Sequence, residues 1–168
     1  MLELWDLYDA NRQKTNRTIE RGKPIPKGLY HLSVSVWLIN NHGQCLLSQR
    51  HPKKTYPLLW ECTGGSVLAG ESSLSGAIRE VQEELGISLN ADEGHLIHQT
   101  RRDLPQDFYD VWLFEADVPI DALVLQATEV INAQWVDREK LLSMYKNNQL
   151  HPLIDYIPEL LGEISFGY

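Results

Sequence analysis

The sequence predicts an α+β fold, a mixed β-sheet held between helices as an α/β/α sandwich. Three observations predict it. Runs of alternating apolar and polar residues recur along the 168 residues, one central stretch switches to a helical period, and two more helical patterns follow the last strand-like run. With 43% hydrophobic residues the chain is long enough for one core and short for two, so residues 1–168 read as a single domain.

Leu2 and Leu4 alternate with Glu3, and Leu7 and Tyr8 flank a polar turn from Asp9 to Lys14, so residues 1–28 read as an N-terminal arm or hairpin. Pro24 and Pro26 bar a central strand and make the approach to residue 31 irregular. In His31–Ile39, Leu32, Val34, Val36 and Leu38 alternate with His31, Ser33, Ser35, Trp37 and Ile39, the period of a strand. The turn Asn40–Gly43 and the run Gln44–Arg50 make Val34–Arg50 a hairpin. A basic loop with Arg50, Lys53 and Lys54 continues to Trp60. His95–Leu104 and Phe108–Val118 read as strands around Pro105–Asp107, and Asn132–Asp137 as a shorter one. Residues 138–168 carry two helical patterns, the second interrupted by Pro158, which kinks it or splits it in two.

Composition excludes several functions. A formal net charge of −8 opposes binding to nucleic acid polymers or anionic membranes, which attract clustered Lys and Arg. No apolar run approaches the ~20 residues that cross a bilayer. Two cysteines, Cys45 and Cys62, with no apolar leader segment, place the chain in a reducing, cytoplasmic compartment.

The central stretch Gly64–Ile87 reads as one amphipathic helix entered from a glycine-rich loop. Leu74, Ala77, Ile78, Val81 and Leu85 fall on one continuous arc of a helical wheel, and Glu80, Glu83 and Glu84 on the neighbouring arc with Gly76. Like charges at these spacings repel by a few tenths of a kcal/mol per pair, and at the C-terminal half they oppose the helix dipole. Arg79 is the one base beside them in the helix. The residues leave two readings open. One is a solvated acidic face; the other is a platform for a divalent cation, Mg²⁺ or Mn²⁺ because the donors are all oxygens. Gly76 leaves room on that side for a ligand or an approaching loop, and Gly64-Gly65 lets backbone come close to a metal or phosphate.

Gly65, Glu71, Arg79-Glu80-Val81, Glu83-Glu84 and Gly86-Ile87 together resemble the complete Nudix box, Gly-x5-Glu-x7-Arg-Glu-U-x-Glu-Glu-x-Gly-U with U apolar. The resemblance implies the Nudix fold and hydrolysis of a nucleoside diphosphate, or of one linked to another moiety, by water attack at phosphorus. It implies that Glu80, Glu83 and Glu84 hold the metal with the Gly64 carbonyl, that Arg79 and Glu71 form an orienting ion pair, and that Glu80 or a later carboxylate takes the water's proton. Glu129 lies where several Nudix enzymes carry an extra carboxylate; its bland alternative is a loop acid. Arg50, Lys53 and Lys54 of the basic loop are expected to contact substrate phosphates, with a solvated loop as the bland alternative, and Gly65 and His31 to border the substrate.

The first half of the chain more loosely resembles the Nudix subgroup similar to isopentenyl-diphosphate isomerase. His31 stands where those isomerases keep a metal-binding histidine, the alternative being a hydrogen-bonded strand-end residue. The isomerase Cys-Gly-His is replaced by Gly64-Gly65-Ser66, with Cys62 displaced by two residues, which opposes isomerase activity. Thr63 also departs from the proline frequent before the double glycine. A third alternative is a diphosphate-binding regulatory module without fast turnover. Trp37, Trp60, Trp112 and Tyr109 fit core packing better than stacking on a base, and Asp107 and Asp110 fit structural roles. The expected partner is a small-molecule diphosphate, and a homodimer is compatible with the sequence.

Overall fold

The structure, a computed structural model, describes residues 2–163. Strands β1 (Leu4–Tyr8) and β2 (Lys14–Glu20) pair antiparallel in a small sheet of their own, which is the arm. The remaining elements are β3 (His31–Ile39), β4 (Cys45–Arg50), β5 (Trp60–Glu61), β6 (Thr63–Ser66), α1 (Ser73–Leu85), β7 (His95–Arg102), β8 (Asp107–Glu115), β9 (Val130–Val136), α2 (Arg138–Lys146) and α3 (Ile157–Glu163). Seven strands form one mixed sheet in the order β5-β4-β3-β8-β7, with β6 paired to β3 and β9 to β4.

Strand β3 is the axis of the fold. It runs parallel to β8 from His31↔Asp107 to Ile39↔Glu115 and antiparallel to β6. Its alternation separates two buried faces, not a wet face from a dry one. Leu32, Val34, Val36 and Leu38 pack towards Ala77, Val81 and Leu85 of α1, and Trp37 and Ile39 belong to the cluster with Leu141, Met144, Ile154 and Ile157 of the C-terminal segment. Each fully buried aliphatic side chain contributes about 1.5–3 kcal/mol. The sheet is thereby covered on both sides, giving the α+β architecture.

Three local expectations are corrected. The β3–β4 hairpin pairs at Ile39↔Cys45 alone, because β4 diverges to pair with β9 and β5 while β6 takes the edge of β3. The glycines 64 and 65 lie in β6, opposite Ser35 and Val34, and not in a loop. The helix starts later, where Ser72 caps it by accepting from the Ser75 N–H in a reciprocal capping box, and it stops at Gly86, which is left-handed at φ 72°. The second C-terminal pattern splits, as Pro158 permits, into a 3-10 turn at Pro152–Ile154 and α3, where Pro158 occupies a first-turn position that needs no N–H donor. The rest of that pattern, residues 164–168, lies outside the described residues. Among the described residues no helix is long and apolar enough to cross a membrane.

Candidate active site

Helix α1 presents its carboxylates to a cavity of about 150 Å³ lined by Glu80, Glu83, Glu84, Glu129, Arg79 and Lys54, among others. This cavity opens into a wider cleft of about 580 Å³, the two sharing Arg21, Lys54, Gly64, Gly65, Ser66 and Glu129. Local structure explains the convergence. The last carbonyls of α1 have no partner within the helix, and the following loop satisfies them: the Val124 N–H donates to Leu85 and the Gln126 N–H to Glu84. That docking carries Glu129 to the mouth opposite Glu84.

Arg79 lies amid the acids. Its guanidinium donates to both carboxylate oxygens of Glu71 at 2.8 and 3.1 Å, to Glu80 at 2.9 Å, to Glu83 at 3.0 Å and to the Ser66 carbonyl at 3.0 Å. Glu71 also accepts from the Leu68 N–H, so the loop, the helix and β6 are tied through one cation. Gly76 faces this loop: an added Cβ would stand 2.9 Å from the Val67 side chain. The approaching loop, not a ligand, accounts for that glycine.

Glu84 is buried, and its nearest cation is Lys54, at 3.8 Å. Burial, reinforced by Glu80, Glu61 and Glu129, pushes its carboxyl up to about 8. Glu80 is also raised by burial, with Arg79 opposing. Lys54 bridges from Glu84 to Glu129, at 2.7 Å. As they stand, no three His, Cys, Asp or Glu side chains among the described residues converge on one point, since Arg79 and Lys54 stand between the carboxylates.

The donor set nevertheless fits a hard divalent cation. Five carboxylates, from Glu3, Glu80, Glu83, Glu84 and Glu129, line the small cavity with no histidine or cysteine beside them, and burial holds Glu84 there well above its ordinary range. Gly65 supplies the cradle: a Cβ there would fall 2.4 Å from a Glu80 carboxylate oxygen. Gly65→Ala is expected to swing the Glu80 carboxylate aside, lowering turnover at least about tenfold with stability changed by roughly 1 kcal/mol or less, read by kinetics and urea unfolding. Gly64→Ala instead meets the Val34 carbonyl of β3 at 2.3 Å, where only backbone could yield, and is expected to cost more than 2 kcal/mol.

Arg50 is buried, with its guanidinium donating to Glu61 at 2.6 and 2.8 Å and to the Thr55 carbonyl, so it braces the basic loop. Lys53 is exposed and lines neither cavity; the loop brings Lys54 to the site in its stead. His31 is at the wall of the wide cleft, stacked on Trp5 at 4.3 Å between ring centroids, with Nε2 4.0 Å from Asp107 and Nδ1 without a hydrogen-bond partner. Burial lowers its pKa and keeps the imidazole neutral. Asp107 accepts from Arg102 and Ser33, and Trp37 and Tyr109 hydrogen-bond to Tyr156 and Ser35 within the core. The exposed aromatic of the cleft is Tyr56.

No sequence pattern marks Arg21, Glu3 and Gln126, which also line the small cavity. The arm carries the first two, Glu3 accepting from Arg21 at 2.7 Å, and the loop after β8 carries the third. Their separation from the box along the chain hid them.

Comparison with known proteins identifies the family. The NUDIX domain family matches residues 29–157. An uncharacterized Nudix hydrolase of Listeria monocytogenes is 35% identical over 153 residues, 90% of this chain and 89% of that protein. An isopentenyl-diphosphate Delta-isomerase of Escherichia coli is 31% identical over 119 residues, 68% of this chain and 65% of that protein. A crystal structure from Deinococcus radiodurans superposes with a TM-score of 0.75 at 22% identity, covering 94% of this chain and 98% of that one. Box, fold and relatives coincide, and the chain belongs to the Nudix hydrolase family.

Proposed function

We propose that the protein is a Mg²⁺- or Mn²⁺-dependent diphosphohydrolase that cuts nucleoside diphosphates, or nucleoside diphosphates linked to another moiety, by water attack at phosphorus. The observation that carries this reading is the carboxylate cavity opening directly into a cleft large enough for a nucleotide-sized ligand. Glu80, Glu83, Glu84 and the Gly64 carbonyl would hold the cation. When bound, it would neutralise diphosphate charge and lower the pKa of water. Lys54 and Arg21, at the junction of the two cavities, bear on the phosphates. Glu129 is the box-side carboxylate that lines both cavities, which suits it to take the proton from the attacking water. Arg79 and Glu71 fix the helix against its loop. Two free, buried cysteines suit a reducing compartment such as the cytoplasm.

Isomerisation is the weaker reading. Cys62 is buried and burial raises its thiol to about 12, so it offers no ready acid or nucleophile. The test is a panel of nucleoside diphosphates and nucleotide sugars with Mg²⁺ or Mn²⁺. Release of nucleoside monophosphate or phosphate is expected; silence across the panel, with isopentenyl diphosphate converted instead, would overturn the proposal.

A further inference from the structure

The side chain of Lys54 occupies the place where a cation is needed. Its ammonium is 2.7 Å from Glu129 and 3.8 Å from Glu84, in the mouth of the carboxylate cavity. It also lines the wide cleft, so both cavities are within its reach. Its backbone is fixed by neighbours: the Lys54 N–H donates to the His51 carbonyl, Arg50 grips the next carbonyl at Thr55, and Arg50 is itself held by Glu61. The loop bends through two left-handed residues, Tyr56 at φ 54° and Leu58 at φ 64°, an arrangement held by these bonds. A lysine on a held backbone moves its charge by rotating its stem, without refolding the loop.

Resting on the metal-dependent reading above, we infer that Lys54 is an exchangeable counter-ion: it pairs with Glu129 and stands beside Glu84 until a divalent cation displaces it, and then turns into the wide cleft to hold a substrate phosphate. Two carboxylates beside each other demand positive charge, and the ammonium and the divalent ion cannot both stand between them. Each diphosphate that binds keeps the ammonium away from the acids. The same movement frees Glu129 from its ion pair as the substrate arrives. Metal and diphosphate are therefore coupled through one side chain, reciprocally.

The two roles give Lys54→Gln opposite signs. On substrate-free protein, calorimetric titration with Mn²⁺ is expected to show roughly tenfold tighter binding than wild type, because the competing charge is gone. At saturating Mn²⁺, methylenediphosphonate is expected to bind roughly tenfold more weakly. Lys54→Arg keeps both affinities near wild type, and Lys53→Gln, which removes the same charge from a side chain lining neither cavity, shifts Mn²⁺ affinity less than about twofold. Unchanged or weaker Mn²⁺ binding in Lys54→Gln overturns the inference, as does an equal tightening in Lys53→Gln. Wild-type protein that fails to bind Mn²⁺ at all defeats the metal-dependent reading itself, an outcome distinct from binding that ignores Lys54.

Discussion

Glu84→Gln is expected to lower turnover of a diphosphate by about a hundredfold or more, on the order of what losing one charged group at a reacting centre costs, and at the same time to make the metal-free protein more stable than wild type at alkaline pH. The two effects share one cause. Glu84 is buried among Glu80, Glu61 and Glu129 with Lys54 as its near cation, and its carboxyl is raised from 4.5 to about 8. The unfolded chain ionises near the lower value and the folded one near the higher. Stability is thus fully present below about pH 4.5 and is lost as pH rises towards 8, each unit of separation being worth about 1.4 kcal/mol. Glutamine keeps the shape and cannot ionise, so the variant escapes that loss. Thermal melts of metal-free protein at pH 5 and 8.5 should show wild type falling relative to the variant by a few kcal/mol across the interval. Adding Mn²⁺ at pH 8.5 should raise the melting temperature of wild type and barely move the variant. A variant as active as wild type, or a wild type insensitive to pH across this interval, would remove Glu84 from the cation site.

How far the sequence reached depends on the distance over which each cause acts. The acidic arc of α1 was legible because helical spacing alone puts Glu80, Glu83 and Glu84 side by side, and the strands were legible because alternation is local. Pairing was not. Val34–Arg50 has every hairpin signal, yet β4 leaves β3 after one pair because β9, far along the chain, offers it a longer ladder from Cys45↔Val136 to Arg50↔Val130. Gly64 and Gly65 announced a need for space but not its origin: the Val34 carbonyl in one case and the Glu80 carboxylate in the other. Among the basic residues of the 50–54 loop, charge could not separate Arg50, which turns inward to Glu61, from Lys54, which reaches the acids. The arm's contribution through Arg21 lies still further from any motif, and even the family match begins only at residue 29.

That arm is also where the largest loss of stability is expected, from Asp110→Ala. Asp110, in β8, is almost wholly buried, and its two oxygens accept from Arg12 of the arm, from the Ser73 hydroxyl at the start of α1 and from Gln99 of β7 at 3.0 Å. Ser73 in turn accepts from the Trp112 indole N–H at 2.9 Å, and Arg12 also lies over the Phe108 ring, 5.3 Å from its centroid. One carboxylate therefore joins arm, helix and sheet. Removing it leaves a guanidinium and two polar side chains facing a void without an anion, the circumstance in which breaking a buried ion pair costs about 3–5 kcal/mol. Arg12→Ala removes the other half, but its side chain is 28% exposed and Asp110 keeps Ser73 and Gln99, so a loss of about 1–2 kcal/mol is expected. The double variant should cost less than the sum of the two, because the second removal finds no partner left to strand. Urea unfolding of the four proteins measures this directly. A destabilisation under about 1 kcal/mol for Asp110→Ala, or simple additivity with Arg12→Ala, would show that the arm is held by its backbone pairing and the Asp6 contact to the Gly70 N–H instead. If the coupling is found, the arm that brings Arg21 to the wall of both cavities is anchored at the N-terminus of the helix that presents Glu80, Glu83 and Glu84 to the smaller one.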